Sequence, residues 1–275
     1  MATQEQAERA TRGQVNTDAA EVYEDFFVPA LFGQWVDPML DAVGLEPGDS
    51  LVDVGCGTGI VARRAVGRVG PRGKVAGVDP NPGMLAVAQR AEPAVDWRSG
   101  VAEALPCDDT EFDRLVCHFA AMFFDEPQPA IEEMVRGVRP GGTIAIATWA
   151  SVDQSPGYAS MIELLRRVVG EDAAGALMAP FVLGEPAAVI DLLDPTLPGA
   201  AVERRDGTAR FDSIDAWLHT DIRGWTLSDM VDDETFATLR REAHRELARF
   251  TDDAGRVRFA APALIATAAR PTDRL

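Results

Sequence analysis

From residue 45 onward, short apolar runs alternate with amphipathic stretches, and glycine or proline marks the joints. Ser50–Val54 is an apolar run ended by glycines, which predicts a buried strand. Ile60–Val69 has helical spacing. Gly73–Val78 predicts a strand, Pro82–Arg90 a helix opened by Asn81-Pro82, and Val95–Arg98 a short strand. Arg114–His118 predicts a further strand, and Pro129–Val138 a helix closed by the turn Arg139-Pro140-Gly141-Gly142. Thr143–Trp149 is the next strand. Upstream, residues 16–44 read as two helices. Ala20, Tyr23, Phe27 and Leu31 recur at helical spacing after a cap at Asn16 or Thr17. The second helix carries Trp35, Met39, Leu40 and Val43 and ends at Gly44. Beyond residue 150 the pattern loosens, with helices expected near 156–170, 185–194, 213–224 and 233–250. Strands are expected near 200–211 and 257–268.

Strand–helix alternation with short joints predicts an α/β fold: a Rossmann-like, doubly wound, mostly parallel sheet of seven strands with helices on both faces. Residues 1–44 form an N-terminal helical cover, 45–150 a ligand-binding core, and 151–275 complete the sheet and add a helical cap, all within one structural domain. Ligands in such sheets sit beyond the carboxyl ends of the strands, at the switch point. The loops after residues 54, 78, 98 and 118 are therefore where chemistry is expected.

Composition narrows the partners. The chain of 275 residues has 47% hydrophobic and 25% charged residues, which is ordinary for a globular protein. It carries 44 acids against 26 bases, a formal charge of −18. The excess is spread over both halves, so neither offers a basic face to a phosphate backbone or an anionic membrane. Nucleic acid and membrane are thus not expected partners. Cys56, Cys107 and Cys117 form no C-x-x-C pair, which argues against a disulfide framework or a Cys-rich zinc site. The consecutive acids Asp108-Asp109 and Asp232-Asp233-Glu234 diverge along the chain and resemble no metal loop, so no metal is expected. Met1–Gly13 has no apolar segment of the signal-peptide kind, and no apolar stretch reaches the length of a membrane span. The expected location is the cytoplasm; the oligomeric state is not legible.

The most informative stretch is Leu51-Val52-Asp53-Val54-Gly55-Cys56-Gly57-Thr58-Gly59. It delivers glycines from a strand onto a helix N-terminus, so that a ligand can lie against backbone. A G-x-G-x-x-G dinucleotide fingerprint needs glycine at position 60, where Ile60 stands. Asp53 beside the loop suits a ligand with an ammonium or sulfonium and repels a pyrophosphate. Asp79 ends the next strand, near the spacing at which an acid binds vicinal ribose hydroxyls. Its other reading is a helix cap, a role that Asn81 can take instead.

Together these segments resemble the class I S-adenosylmethionine-dependent methyltransferases, in particular the group that includes ubiquinone- and menaquinone-biosynthesis methyltransferases. Val52–Gly59, VDVGCGTG, is similar to the first motif of that family. Gly77–Leu85 is similar to the second, in which the acid, here Asp79, holds the ribose, and the Met, here Met84, packs on the adenine beside Pro80. Gly100–Pro106 is similar to the family's G-D-A-E-x-L-P, with Val101 in place of the acid that accepts from the adenine amino group. The resemblance implies adenine recognition by backbone at Val101–Ala102, with Glu103 beside it. The implied cofactor is S-adenosyl-L-methionine, and the implied reaction an in-line transfer of its methyl to a small-molecule acceptor by C-, N- or O-methylation.

Two candidate groups carry that chemistry. His118, at the end of the fourth strand, either deprotonates an acceptor or lines the cofactor pocket. Tyr23, Phe27, Phe32 and Trp35 lie in the N-terminal helices, which cover the cofactor in related enzymes; the same spacing also describes core packing. Phe119, Met122, Phe123 and Phe124 give an apolar run that would present an aromatic face to the acceptor. Two alternatives stand beside the methyltransferase: an NAD(P)-dependent oxidoreductase, and a non-catalytic protein that binds S-adenosylmethionine.

Overall fold

The computed structural model describes residues 19–223, 227 and 230–272. The expected cap at Asn16 or Thr17 and the segment Met1–Gly13 lie outside them. Nine strands are described. β1 (Ser50–Val54), β2 (Lys74–Asp79), β3 (Asp96–Ser99), β4 (Phe112–His118) and β5 (Val138–Trp149) pair in parallel. β6 (Ala201–Arg205) and β9 (Ala263–Ala269) complete one seven-stranded sheet in the order β3-β2-β1-β4-β5-β9-β6. β9 runs antiparallel to both its neighbours, so it alone is reversed. β7 (Thr208–Phe211) and β8 (Val257–Ala260) form a separate two-stranded ribbon.

Both sheet faces are buried, which explains why the strands read as continuous apolar runs. Side chains alternate between two cores. Leu51, Val116, Ala145 and Ala147 join one, with the helix Ile60–Val69 and the N-terminal cover. Val52, Leu115, Cys117, Ile144 and Ile146 join the other, with the helix Pro127–Gly137. The period of two along each strand thus sorts residues onto opposite helical layers.

The structure differs from expectation in four places. The strand expected at Thr143 begins at Val138, because Val138 pairs with Phe112 and a bulge between Phe112 and Arg114 absorbs the turn. The amide of Gly141, at φ +76°, donates to the carbonyl of Arg270. The single strands expected near 200–211 and 257–268 each break in two, at Asp206-Gly207 and Ala261-Pro262, and change sheets together. The Ala261 amide still reaches the Gly207 carbonyl across the break, at 2.9 Å. The helix near 156–170 is Pro156–Val168; a further helix, Glu171–Met178, follows the left-handed Gly170. The cover, finally, is a run of helical turns over 19–42: Ala19–Val22 is α, Tyr23–Phe32 is wound as a π-helix, Gly33–Trp35 is a 3-10 turn and Val36–Ala42 returns to α. Pro29 lies inside the π segment, where its missing amide would break a tighter ladder. Among the described residues no single helix is long and apolar enough to cross a membrane.

Candidate active site

The four loops after β1, β2, β3 and β4 converge on one cavity of about 250 Å³. Of the residues singled out from sequence, Tyr23, Gly55, Gly57, Asp79, Pro80, Met84, Val101, Ala102 and Glu103 line it. Trp35, Asp53 and His118 do not.

The loop after β1 is built by backbone. The amides of Gly55 and Cys56 both donate to the carbonyl of Val78, at 2.9 and 3.0 Å, which locks the loop against the end of β2. Gly55 has φ +67°, and a Cβ there would sit 2.4 Å from the Cβ of Ala120. Only glycine fits that crossing of loops. Asp79 draws the two loops together. Its Oδ2 accepts from the Gly57 amide and its Oδ1 from the Asn81 amide, both at 2.9 Å. Each oxygen keeps a lone pair for a further donor. Burial pushes the Asp79 carboxyl up, and the two amide bonds pull the other way. Asn81 caps the helix Pro82–Ala91 by accepting from the amides of Gly83 and Met84, which leaves Asp79 free of that task. Met84 is buried beside Ala20, Val87 and Tyr23.

Tyr23 arches over the glycine loop. A Cβ on Gly57 would meet its ring at 3.8 Å. The ring stacks on Phe27 and Phe32, with centroids 5.8 and 5.3 Å away. Burial raises its phenol, and the nearby carboxylates of Asp79, Glu24 and Asp53 raise it further, so it stays protonated. Glu103 lines the cavity and also pins the opposite rim: its Oε1 accepts from the amides of Asp125 and Glu126, at 3.0 and 3.3 Å.

The three residues outside the lining have other surroundings. The Oδ2 of Asp53 accepts from the Ala62 amide in the first turn of Ile60–Val69, a stabilising position for a carboxylate. Its Oδ1 is buried without a partner, and burial pushes its pKa up to about 7. His118 lies buried with its ring 4.8 Å from that of Phe119 and 6.2 Å from that of Phe32. Its Nε2 has no partner, and burial pushes its pKa down to about 3, so it is neutral. Trp35 packs behind Phe119, at 6.3 Å.

A turn at the end of β4 decides which of these side chains reaches the cavity. Phe119 has φ +55°, a strained value for an aromatic residue, and its amide is held by the Ala147 carbonyl at 3.0 Å. The turn leaves His118 in the core and stacks Phe119 on Trp149, with centroids 4.2 Å apart. Phe119, Phe123 and Phe124 of the expected apolar run line the cavity, whereas Met122 packs into the core. Sequence reasoning missed the far wall: Trp149, Tyr158, Leu177, Pro180 and Phe181. Trp149 ends a strand at the same edge as the other loops, a signal that was available. The other four come from cap helices whose docking no local pattern specifies.

Residues 52–146 match the family described as a methyltransferase domain. That segment thus carries the sequence signature of a methyltransferase domain. S-adenosyl-L-methionine is the cofactor of this domain class. The match covers the four cavity loops and omits the cover and the cap. A demethylmenaquinone methyltransferase of Renibacterium salmoninarum is 33% identical over 136 residues, covering 50% of this chain and 56% of that protein. A 2-phytyl-1,4-naphtoquinone methyltransferase of a Synechocystis strain is 34% identical over 142 residues, covering 48% and 60%. The chain thus spans only about three fifths of these relatives. A methyltransferase structure from an antibiotic-biosynthesis pathway of Anabaena variabilis superposes with a TM-score of 0.62 at 18% identity, covering 86% of this chain and 97% of that one. That likeness extends the shared fold beyond residues 52–146.

Proposed function

We propose that this chain transfers a methyl group from S-adenosyl-L-methionine to a small-molecule acceptor with a flat aromatic ring, of the quinol or hydroxyarene kind. The observation that carries this reading is the continuity of one cavity, from the Asp79 carboxylate to an aromatic wall of Phe119, Trp149 and Phe181. The names of the similar quinone methyltransferases point the same way. The acidic balance argues against nucleic acid as acceptor. The three free cysteines suit the reducing cytoplasm.

The residues fit the cofactor. Asp79 has spare lone pairs for two ribose hydroxyls, and Gly57 and Gly55 offer bare backbone along the methionine part. Met84 and the Val101–Ala102 backbone, which line the same cavity, would hold the adenine. When bound, the cofactor supplies a methyl already activated on a sulfonium, so the chain's task is alignment and exclusion of water. Tyr23, Phe27 and Phe32 close the cavity from the cover and keep water from the reacting centre. His118, buried, neutral and outside the cavity lining, packs on Phe119 and supports it rather than taking a proton from the acceptor.

The test has two arms. Calorimetry should show S-adenosylhomocysteine binding at micromolar Kd, and NAD binding far more weakly. Radiolabelled methyl should pass to one or more members of a panel of hydroxynaphthalenes and hydroquinones. Tight NAD binding would instead favour the oxidoreductase. Cofactor binding with no transfer to any acceptor would favour the non-catalytic reading.

A further inference from the structure

Behind the cavity-lining Tyr158 lies a buried carboxylate that cofactor binding leaves without a role. Asp221 lies in the turn His219–Arg223 and is 1% exposed. Its Oδ2 accepts from the indole Nε1 of Trp217 at 2.6 Å. Its Oδ1 faces the phenol of Tyr158 at 3.5 Å, a long hydrogen bond. Trp217 is itself enclosed by Phe211, Phe250 and Phe259. Among the described residues no cation pairs with Asp221. A carboxylate buried without a cation is costly, and an indole alone does not compensate it. Tyr158 is the link to the site: it lines the cavity, beside Phe181.

We propose that Tyr158 and Asp221 form a proton-accepting pair for the hydroxyl of the acceptor, Tyr158 touching the substrate and Asp221 acting through it. This rests on the reading of the cavity as a methyl-acceptor site, and it narrows the substrate class to compounds that must lose an O–H proton. The phenol oxygen, stretched away from Asp221, has a lone pair free for an acceptor hydroxyl. The acceptor's O–H bond breaks and its proton moves to Tyr158 Oη. Tyr158's own proton moves to Asp221 Oδ1, and the O–H electron pair stays on the acceptor oxygen as an oxyanion. The charge on Asp221 is passed to the acceptor and none is created, which suits an apolar wall. Burial already pushes Asp221 up to about 7, within reach of a phenol's proton. His118, buried and neutral outside the cavity, does not compete for that proton.

The probe is 4-nitrophenol, whose anion is coloured, titrated into the full chain with and without S-adenosylhomocysteine. The pH is set one unit above the probe's own midpoint, where roughly nine tenths of the free probe and most of Asp221 are ionised. In the wild type the bound probe should stay coloured while binding takes up close to one proton, read by calorimetry in two buffers of different ionisation enthalpy. In Asp221→Asn, which keeps an oxygen for Trp217, the probe should bind within threefold of wild type, with no proton taken up beyond what its loss of colour accounts for. In Tyr158→Phe it should bind about tenfold more weakly. Far-UV circular dichroism and S-adenosylhomocysteine affinity should match wild type in both variants. A wild-type complex whose proton uptake is zero or is matched by loss of colour, the same uptake in Asp221→Asn, or no saturable binding overturns the pair. Failure of S-adenosylhomocysteine to bind overturns the methyltransferase reading alone, since the colour is read without it.

Discussion

The Oδ2 of Asp79 accepts from the amide of Gly57 at 2.9 Å, so the carboxylate at the end of β2 also fixes the turn after β1. One side chain thereby sets the spacing of the two loops between which a nucleoside fits. Asp79→Ala should weaken S-adenosylhomocysteine binding by roughly a hundredfold, since hydrogen bonds to a charged group contribute about 1.5–3 kcal/mol each. Asp79→Asn should retain one acceptor and lose less. Calorimetric titration of both variants checks this, and wild-type affinity in Asp79→Ala would falsify the ribose assignment.

How far the sequence could be read follows from what each residue answers to. The loops of the core are specified locally: a glycine needed for a close approach, an acid at a strand end, Asn81 capping the next helix. Their positions were legible, and they meet in one cavity. His118 ends β4 as expected but lies outside the cavity lining, because a single left-handed residue, Phe119, turns the chain there, and nothing in the local pattern marks a non-glycine residue with that backbone. Tyr158 and Asp221 are 63 residues apart. Their meeting depends on how Pro156–Val168 packs near the turn after Leu218, a long-range outcome without periodic signature. The breaks at Gly207 and Pro262 were hidden for a related reason. Each segment is a plausible single strand, and only their joint departure from the sheet shows otherwise.

The cover is fastened to the core by a two-pronged ion pair. Arg63 Nη2 donates to both carboxylate oxygens of Glu24, at 2.7 and 2.9 Å, and both side chains are only about one quarter exposed. Glu24 neighbours Tyr23, so the pair holds the lid residue over Gly57. Glu24→Gln should speed release of S-adenosylhomocysteine about three- to fivefold, in keeping with about 0.5–1 kcal/mol for a partly exposed pair. The melting temperature should change little. Stopped-flow release rates at low and high salt are the measurement; an off-rate insensitive to the substitution would mean that the cover is held by its apolar face alone.

Two buried groups give stability opposite pH dependences. Asp53, raised from 3.8 to about 7, favours the folded state below its ordinary pKa, and that contribution is lost as pH rises through about 7. His118, lowered from 6.5 to about 3, contributes above 6.5 and loses its contribution as pH falls toward 3. Each full shift corresponds to roughly 4–5 kcal/mol as an upper bound. Asp53→Asn should therefore gain melting temperature relative to wild type between pH 5 and pH 8. His118→Gln should gain relative to wild type between pH 7 and pH 4. Scanning calorimetry across that range reads both, and parallel curves for variant and wild type would remove the assigned burial.

The sheet change at Gly207 supports the aromatic wall from behind. A Cβ on Gly207 would lie 2.2 Å from the ring of Trp35 and 2.6 Å from the carbonyl of Ala261. The first partner is a rigid indole and the second is backbone, so neither can give way cheaply. Trp35 in turn backs Phe119, which stacks on Trp149. Gly207→Ala should therefore destabilise the fold by about 1–3 kcal/mol, the range for forcing a methyl into a packed site. Because the displaced indole presses on the acceptor wall and not on the Asp79 end, 4-nitrophenol binding should weaken more than S-adenosylhomocysteine binding. Trp35→Phe is the complementary change. It leaves a gap, but it also removes a buried indole Nε1 that has no partner, so the two effects offset and the loss should stay within about 1 kcal/mol. Chemical denaturation of both variants tests the pair. A Gly207→Ala variant as stable as wild type would mean that the strands can slide apart at the break, and that Trp35 does not fix the wall.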